Sequence, residues 1–378
     1  MKKNILKRII GLVCALLLLL TPCAALDVSD SCRSAILIEA NTGKVLYEQN
    51  ADEQLPPASV TKVMTLLLVM EAIDTGKLAL TNEVSVSANA ASMGGSQVYL
   101  EPGETMSVED MLKSVIISSA NDAAVALAEH LCGTEEDFVA RMNQRAQELG
   151  MVNTHFENTN GLDDTTENHV TSARDIAIMS AELLRHPTIL QYSTIWMDTI
   201  RGGAFTLTNT NRLIRFYNGA NGLKTGSTSR AKFCISASAK RGNLQLIAVI
   251  MAAPTRDTRN EAAKKLLDYG FANYDYICCE GEQLNGLPVL GSPQKTICAQ
   301  YEAFGCLTGK GQGEIAREIL LPETLCAPVA EGEILGKIVY SQNGETIGEL
   351  PITACESAER YTYWELLKRT FVNFLTNA

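Results

Sequence analysis

Three short runs hold the groups with which this chain could do chemistry: Ser59-Val60-Thr61-Lys62, Ser119-Ala120-Asn121 and Lys224-Thr225-Gly226. A serine hydroxyl becomes a nucleophile when a base within hydrogen-bond reach takes its proton, and a lysine held neutral meets that need without a histidine. Ser59 follows the extended lead-in Pro56-Pro57-Ala58 and precedes an apolar run free of Gly and Pro, so a helix is expected over Val60–Ile73. Residues three apart share a helix face, which sets the Ser59 hydroxyl beside the Lys62 amine. The positive end of the helix dipole and the apolar flank of Val63, Leu66 and Leu67 both disfavour an ammonium at Lys62. Taken singly, Ser59 reads equally well as an N-cap, with Lys62 a solvated side chain.

The other two runs sit beside elements that suit them. Ser119 and Asn121 fall on a tight connection between helices expected over Val108–Ile117, capped by Ser107, and Asp122–Leu131. From there a hydroxyl and a carboxamide can relay a proton and hold Lys62 or a substrate amide. Lys224-Thr225-Gly226 precedes two strands, Lys232–Ala239 and Leu244–Ala252, joined at Arg241-Gly242-Asn243, and belongs at or beside a sheet edge. Such an edge pairs with an extended peptide, Lys224 offers a cation to a terminal carboxylate, and Gly226 permits close backbone approach. Local context matters, because an S-x-x-K match arises by chance roughly once or twice in a chain this long. Ser229-Arg230-Ala231-Lys232 and Ser292-Pro293-Gln294-Lys295 match too, but neither opens a helix.

In this order the three motifs resemble those of penicillin-binding proteins and serine β-lactamases. Within that superfamily the chain looks like a low-molecular-mass D-alanyl-D-alanine carboxypeptidase. Ala35–Tyr47 with its Asn41-Thr42-Gly43 turn, Met93-Gly94-Gly95-Ser96, Asn160-Gly161-Leu162-Asp163 and Thr171-Ser172-Ala173-Arg174-Asp175 extend the likeness. The resemblance implies Ser59 as nucleophile, Lys62 as its base, Ser119 and Asn121 as the second catalytic element, and Lys224, Thr225, Gly226 and Ser227 as the substrate-binding strand. The oxyanion hole would be the backbone N–H groups of Ser59 and Ser227. The implied partners are peptidoglycan stem peptides and β-lactams, with no metal and no organic cofactor. The implied fold is α/β (α+β): an antiparallel sheet from the N-terminal hairpin and the strands after Lys224, flanked by helices, with a mostly helical insertion carrying Ser119.

The rest of the 378 residues is read in segments. Residues 1–25 form a secretory signal: Lys2, Lys3, Lys7 and Arg8, an apolar stretch Ile9–Leu20, then Cys23-Ala24-Ala25. This places the protein outside the cytoplasm, at the outer face of the membrane or in the envelope. Residues 26–275 make the catalytic domain, ending in a helix expected over Arg259–Tyr274. Residues 276–355 read as a small all-β sandwich with turns at Asn285-Gly286 and Asn343-Gly344, the second joining Lys337–Tyr340 to Glu345–Leu350. Residues 356–378 carry an amphipathic helix, with Trp364, Leu367, Phe371, Phe374 and Leu375 on one stripe; it is too polar to span a membrane but fits one lying on its surface. Packing of that stripe on the β-domain or on another subunit is the alternative.

A net charge of −11 argues against a nucleic-acid partner. Nine of the eleven cysteines follow the signal without a C-x-x-C pair, so no zinc site is indicated. They read mostly as buried free thiols, with room for one bridge among the five between Cys279 and Cys355. His130, His155, His169 and His186 lack ligand spacing and read as structural. Two other functions stay open on sequence grounds: a serine β-lactamase, whose class A members need a glutamate holding the deacylating water, and a non-catalytic protein that binds wall peptides. Oligomeric state is not written in the sequence.

Overall fold

The structure, a computed structural model, describes residues 26–376; the expected export signal over 1–25 lies outside them. The first layer is a five-stranded antiparallel sheet. It comprises β1 (Ser34–Glu39), β2 (Val45–Gln49), β3 (Ala220–Thr228), β4 (Lys232–Arg241) and β5 (Leu244–Ala253), in the order β2-β1-β5-β4-β3. The N-terminal hairpin and the strands after Lys224 thus share one sheet, with β3 at its edge as the third motif anticipated.

Alternation along the strands explains why both faces are covered. Ile36, Ile38, Val249 and Met251 point into the larger core, while Ala35, Leu37, Leu246, Ala248 and Ile250 point into a second one. The second is closed by a helix over Arg256–Asn273 through Ala262, Ala263, Leu266, Leu267 and Phe271. Burial on both faces is why β5 reads as an almost unbroken apolar run. The larger core is built around α1 (Lys62–Asp74), which is buried along nearly its whole length and so shows no polar face. Against it pack α2 (Val108–Ile117), α3 (Asn121–Cys132) and α4 (Ala173–Leu184). α2 has the expected bounds, and the Ser107 hydroxyl accepts from Asp110 N–H at 3.2 Å.

Several boundaries differ from the sequence reading, each for a local reason. Ala58–Thr61 is a 3-10 turn and α1 begins at Lys62, so Ser59 caps nothing with its side chain. Asn121 is not on the connection but opens α3. The helix expected from Arg259, α5 (Arg256–Asn273), starts three residues earlier, because Thr255 accepts from Thr258 N–H and caps it there.

Beyond α5 the chain is strand-rich. β6 (Tyr274–Cys279) pairs with β9 (Phe304–Gly309). A six-stranded sheet is formed by β7 (Glu282–Leu290), β8 (Thr296–Tyr301), β10 (Ile315–Leu320), β11 (Leu325–Cys326), β12 (Ile334–Gln342) and β13 (Glu345–Ala354) in the order β10-β12-β13-β8-β7-β11. Asn343-Gly344 makes the expected β12–β13 turn, with both residues at positive φ. Asn285-Gly286 does not turn the chain: it forms a bulge within β7, where the register with β8 slips between Leu284 and Leu287. The last helix, α6 (Tyr363–Thr376), keeps Trp364, Leu367, Phe371 and Phe374 exposed. No described helix is long and apolar enough to cross a membrane. The thiols are less buried than expected: only Cys32 and Cys234 are in the interior, and all nine described cysteines are unbridged.

Candidate active site

Ser59 sits where the 3-10 turn hands over to α1, under the edge strand β3. Two glycines make close approach to this turn possible. A Cβ on Gly226 would lie 2.8 Å from Ser59 N, and one on Gly161, itself at φ +84°, would lie 1.9 Å from the Ala58 carbonyl oxygen. Ala58 is held at φ +49° and Ser119 at φ +65°, left-handed conformations that non-glycine residues adopt at a cost of about 1–3 kcal/mol. The Ala58 turn is buttressed by His169. Its Nδ1 accepts from Glu157 N–H, so Nε2 carries the proton and lies 2.7 Å from Thr61 Oγ1, which donates to Ala58 O. Burial pulls the His169 value down to about 4, keeping it neutral in this structural role.

Lys62 is fully buried, with its amine 3.0 Å from Ser59 Oγ, 2.5 Å from Asn121 Oδ1 and 2.8 Å from the Asn160 carbonyl. Burial first, then the charge of Lys224, drive its pKa well below that of a free lysine; Asp122 opposes them. The amide of Asn121 is locked at its other end by donation to Gly94 O at 2.7 Å. Asp122 is itself buried and accepts from the backbone N–H groups of Val98, Leu100 and Ala123. The sequence thus brings Ser59, Lys62 and Asn121 into contact, with the lysine poised to be neutral. Ser119 faces the same cleft, and among the described residues its hydroxyl has no hydrogen-bond partner.

The cleft holds about 650 Å³, and Ser59, Ser119, Thr225, Gly226, Ser227, Trp196, Phe216, Arg212, Arg256 and Arg259 are among the residues that line it. Lys224 is not in its wall. It is 1% exposed, its Nζ donates to Thr225 O at 2.8 Å, and burial, with Arg259 beside it, lowers its pKa to about 7. The cations that reach the cleft are guanidinium groups. Arg259 is 3% exposed, donates to Asn260 Oδ1 and Cys234 O, and has its pKa lowered to about 10, chiefly by burial. Among the described residues, none of Arg212, Arg256 and Arg259 is paired with a carboxylate, and no Asp or Glu lines the cleft. These arginines escaped the sequence reading. The i, i+3 spacing of Arg256 and Arg259 was the available signal, hidden by starting α5 at Arg259.

A family profile described as D-alanyl-D-alanine carboxypeptidase matches residues 23–255. The chain belongs to this family. It is a serine-type D-Ala-D-Ala carboxypeptidase, a hydrolase of the low-molecular-mass penicillin-binding type. Bacillus subtilis D-alanyl-D-alanine carboxypeptidase DacF is 44% identical over 91% of this chain and 90% of its own. Penicillin-binding protein 5 from Haemophilus influenzae superposes with a TM-score of 0.73 at 31% identity, over 87% of this chain and 98% of that one. Penicillin-binding protein D2 from Listeria monocytogenes, in its ampicillin-bound form, matches 64% of this carboxypeptidase and 97% of its own chain, at 34% identity and a TM-score of 0.58.

Proposed function

We propose that this carboxypeptidase removes the terminal D-Ala of peptidoglycan stem pentapeptides through an acyl-enzyme on Ser59. The observation that carries the residue assignment is the buried, depressed amine of Lys62 in contact with both Ser59 Oγ and Asn121 Oδ1. Neutral Lys62 takes the Ser59 proton as the hydroxyl attacks the penultimate D-Ala carbonyl. Ser119 returns a proton to the departing amine, and Asn121 keeps the Lys62 amine aimed. The N–H of Ser59, one of the amides a helical start leaves unpaired, and that of Ser227 bind the oxyanion, each worth about 3–4 kcal/mol. Edge strand β3, with Thr225 and Gly226, lines up the peptide backbone. The substrate carboxylate meets Thr225 Oγ1 and the guanidinium groups of Arg259, Arg256 and Arg212, which have no carboxylate partner among the described residues, while Lys224 supplies positive field from behind the wall. Water then cleaves the acyl-enzyme.

A β-lactam follows the first step. Its leaving group stays tethered, and the absence of any carboxylate among the cleft-lining residues supports slow release over β-lactamase turnover. The relatives' names support action on the cell wall. With the basic and apolar start of the sequence, we place the working protein outside the cytoplasm, as catalytic residues 26–275, an accessory β-domain over 276–355 and a terminal helix. The exposed stripe of Trp364, Leu367, Phe371 and Phe374 fits that helix lying on the membrane surface.

The test is intact mass over time with excess benzylpenicillin. A persistent single adduct on Ser59, lost in Ser59→Ala, is expected. Rapid drug consumption with a vanishing adduct would favour a β-lactamase, and neither adduct nor consumption a binding protein.

A further inference from the structure

On the outward face of the C-terminal sheet two cysteines stand directly opposite one another. Strands β8 and β13 pair with Ala299 against Ala354 and Gln300 against Thr353, and continuing that register sets Cys298 against Cys355. The Cys355 N–H donates to Cys298 O at 2.9 Å, so the two backbones are joined at that point. Gln283, on neighbouring β7, reaches both sulfurs, its Nε2 lying 2.8 Å from Cys298 Sγ and 3.7 Å from Cys355 Sγ. Facing residues of an antiparallel pair have Cα atoms about 4.5–5.5 Å apart, inside the roughly 4.4–6.8 Å that a disulfide requires. Both side chains are half-buried, open to a reagent from solvent.

We propose that Cys298 and Cys355 are a dithiol that closes to a disulfide, tying the segment that leads into α6 to strand β8. The reagent class is a disulfide oxidant, a small molecule or a protein. One thiolate attacks a sulfur of the oxidant, forming a mixed disulfide and expelling one thiolate. The second cysteine attacks the first one's sulfur and expels the other. The S–S bond of the oxidant breaks, the S–S bond of the pair forms, and the pair's two protons and two electrons leave with two reduced thiols.

No other two described cysteines meet these conditions. Cys279 and Cys306 lie on paired strands, but Cys279 faces Phe304 and Cys306 faces Ile277. They are diagonal neighbours, about 7–8 Å apart at Cα and beyond disulfide reach. Cys32 and Cys234 are interior, and Cys278 and Cys326 stand exposed without a facing sulfur. Its neighbour Cys355 first, then burial, raise the Cys298 thiol above its ordinary value. Cys298 is therefore protonated at neutral pH, and exchange through it speeds up as pH rises.

The position matters because Cys355 ends β13 just before the connector to α6. On the same stretch Glu356 Oε1 accepts from Cys298 N–H at 3.1 Å, and Ala358 pairs with Val329. A bond at Cys298 would make this junction covalent, so that the base of the terminal helix could not peel from the sheet.

The test uses the full chain, reduced, equilibrated at pH 8 with glutathione mixtures of rising oxidised fraction, alkylated and mapped by mass. The expected result is a peptide pair linked through Cys298 and Cys355, forming at roughly tenfold lower oxidised fraction than any other pair. Cys298→Ser and Cys355→Ser should each abolish the link, while benzylpenicillin acylation stays within about twofold of the parent and reports an intact fold. Glutathione retained on either cysteine without the link, or an earlier bridge elsewhere, would overturn the proposal.

Discussion

Replacing Lys224 with methionine tests the electrostatics on which the site rests. Lys224 is interior, and burial first, then Arg259, bring its pKa from 10.5 to about 7. Between those two values the unfolded chain binds a proton that the folded chain does not, so stability rises with pH. The penalty for charging Lys224 is full below pH 7, shrinks as pH rises through 7, and is gone near 10.5. At about 1.36 kcal/mol per pH unit, it comes to roughly 5 kcal/mol. The hydrogen bond to Thr225 O, worth about 1 kcal/mol net, offsets a little of it. Lys224→Met keeps the length of the side chain and removes the charge. It should therefore be more stable than the parent by about 3–4 kcal/mol at pH 7, and that margin should shrink by about 1.4 kcal/mol per unit toward pH 10. Denaturant unfolding of both proteins at pH 6.5, 7.5, 8.5 and 9.5 measures it. A margin that does not vary with pH would refute the reasoning. The same pair tests function: Lys224 helps depress Lys62, so the acid limb of the penicillin acylation rate should move to higher pH in the variant.

Lys62→Met should slow acylation by about 10²–10⁴-fold with Ser59 still in place, read as the rate of adduct formation. Arg259→Ala should reduce kcat/KM for peptides ending in a free carboxylate by roughly 30-fold or more, and for C-terminally amidated peptides far less; equal losses would take the carboxylate away from Arg259. Gly161→Ala places a Cβ 1.9 Å from Ala58 O at φ +84°, and should cost about 2–4 kcal/mol in thermal unfolding and slow acylation. An unchanged Tm would mean the Ala58 turn is not set by that contact.

The sequence was most legible where periodicity and punctuation agree. α2 came out residue for residue because Ser107 caps it, and the β12–β13 hairpin because Asn343-Gly344 stands between two runs that pair with each other and takes positive φ at both residues. Where two signals competed, the reading slipped. Asn285-Gly286 carries the same dipeptide but sits inside a strand whose neighbours hold it in the sheet, so its extra residue is absorbed as a bulge. Ser59 looked like a cap because capping is a local property; its hydroxyl instead meets Lys62, with Pro57 standing at the N-cap of the turn. The contact of Ser59, Lys62 and Asn121 was legible because all three lie within motifs. The arginines were not, since Arg212 and Arg259 come from separate segments that only the closing of α5 onto the sheet brings to one cleft. Nor was the demotion of Lys224 from the wall to the interior, which depends on the depth of an edge strand and not on its sequence.

The site runs against the stability of its surroundings in four places at once: a left-handed Ala58, a left-handed Ser119 and two buried lysines whose charges repel. A small domain could not hold these, but α1 is anchored along nearly its whole length in the larger core, which over-determines the turn that precedes it. The same arrangement accounts for the difference between peptide and drug on the proposed mechanism. Among the described residues the cleft lining holds no carboxylate, so on that mechanism Lys62 is the base beside Ser59 and would act in both half-reactions. On that mechanism, the D-Ala released by peptide cleavage would leave the cleft and make room for water beside the lysine. After β-lactam opening the leaving group would remain attached to the acyl chain and occupy that room, keeping water from the base that made the ester.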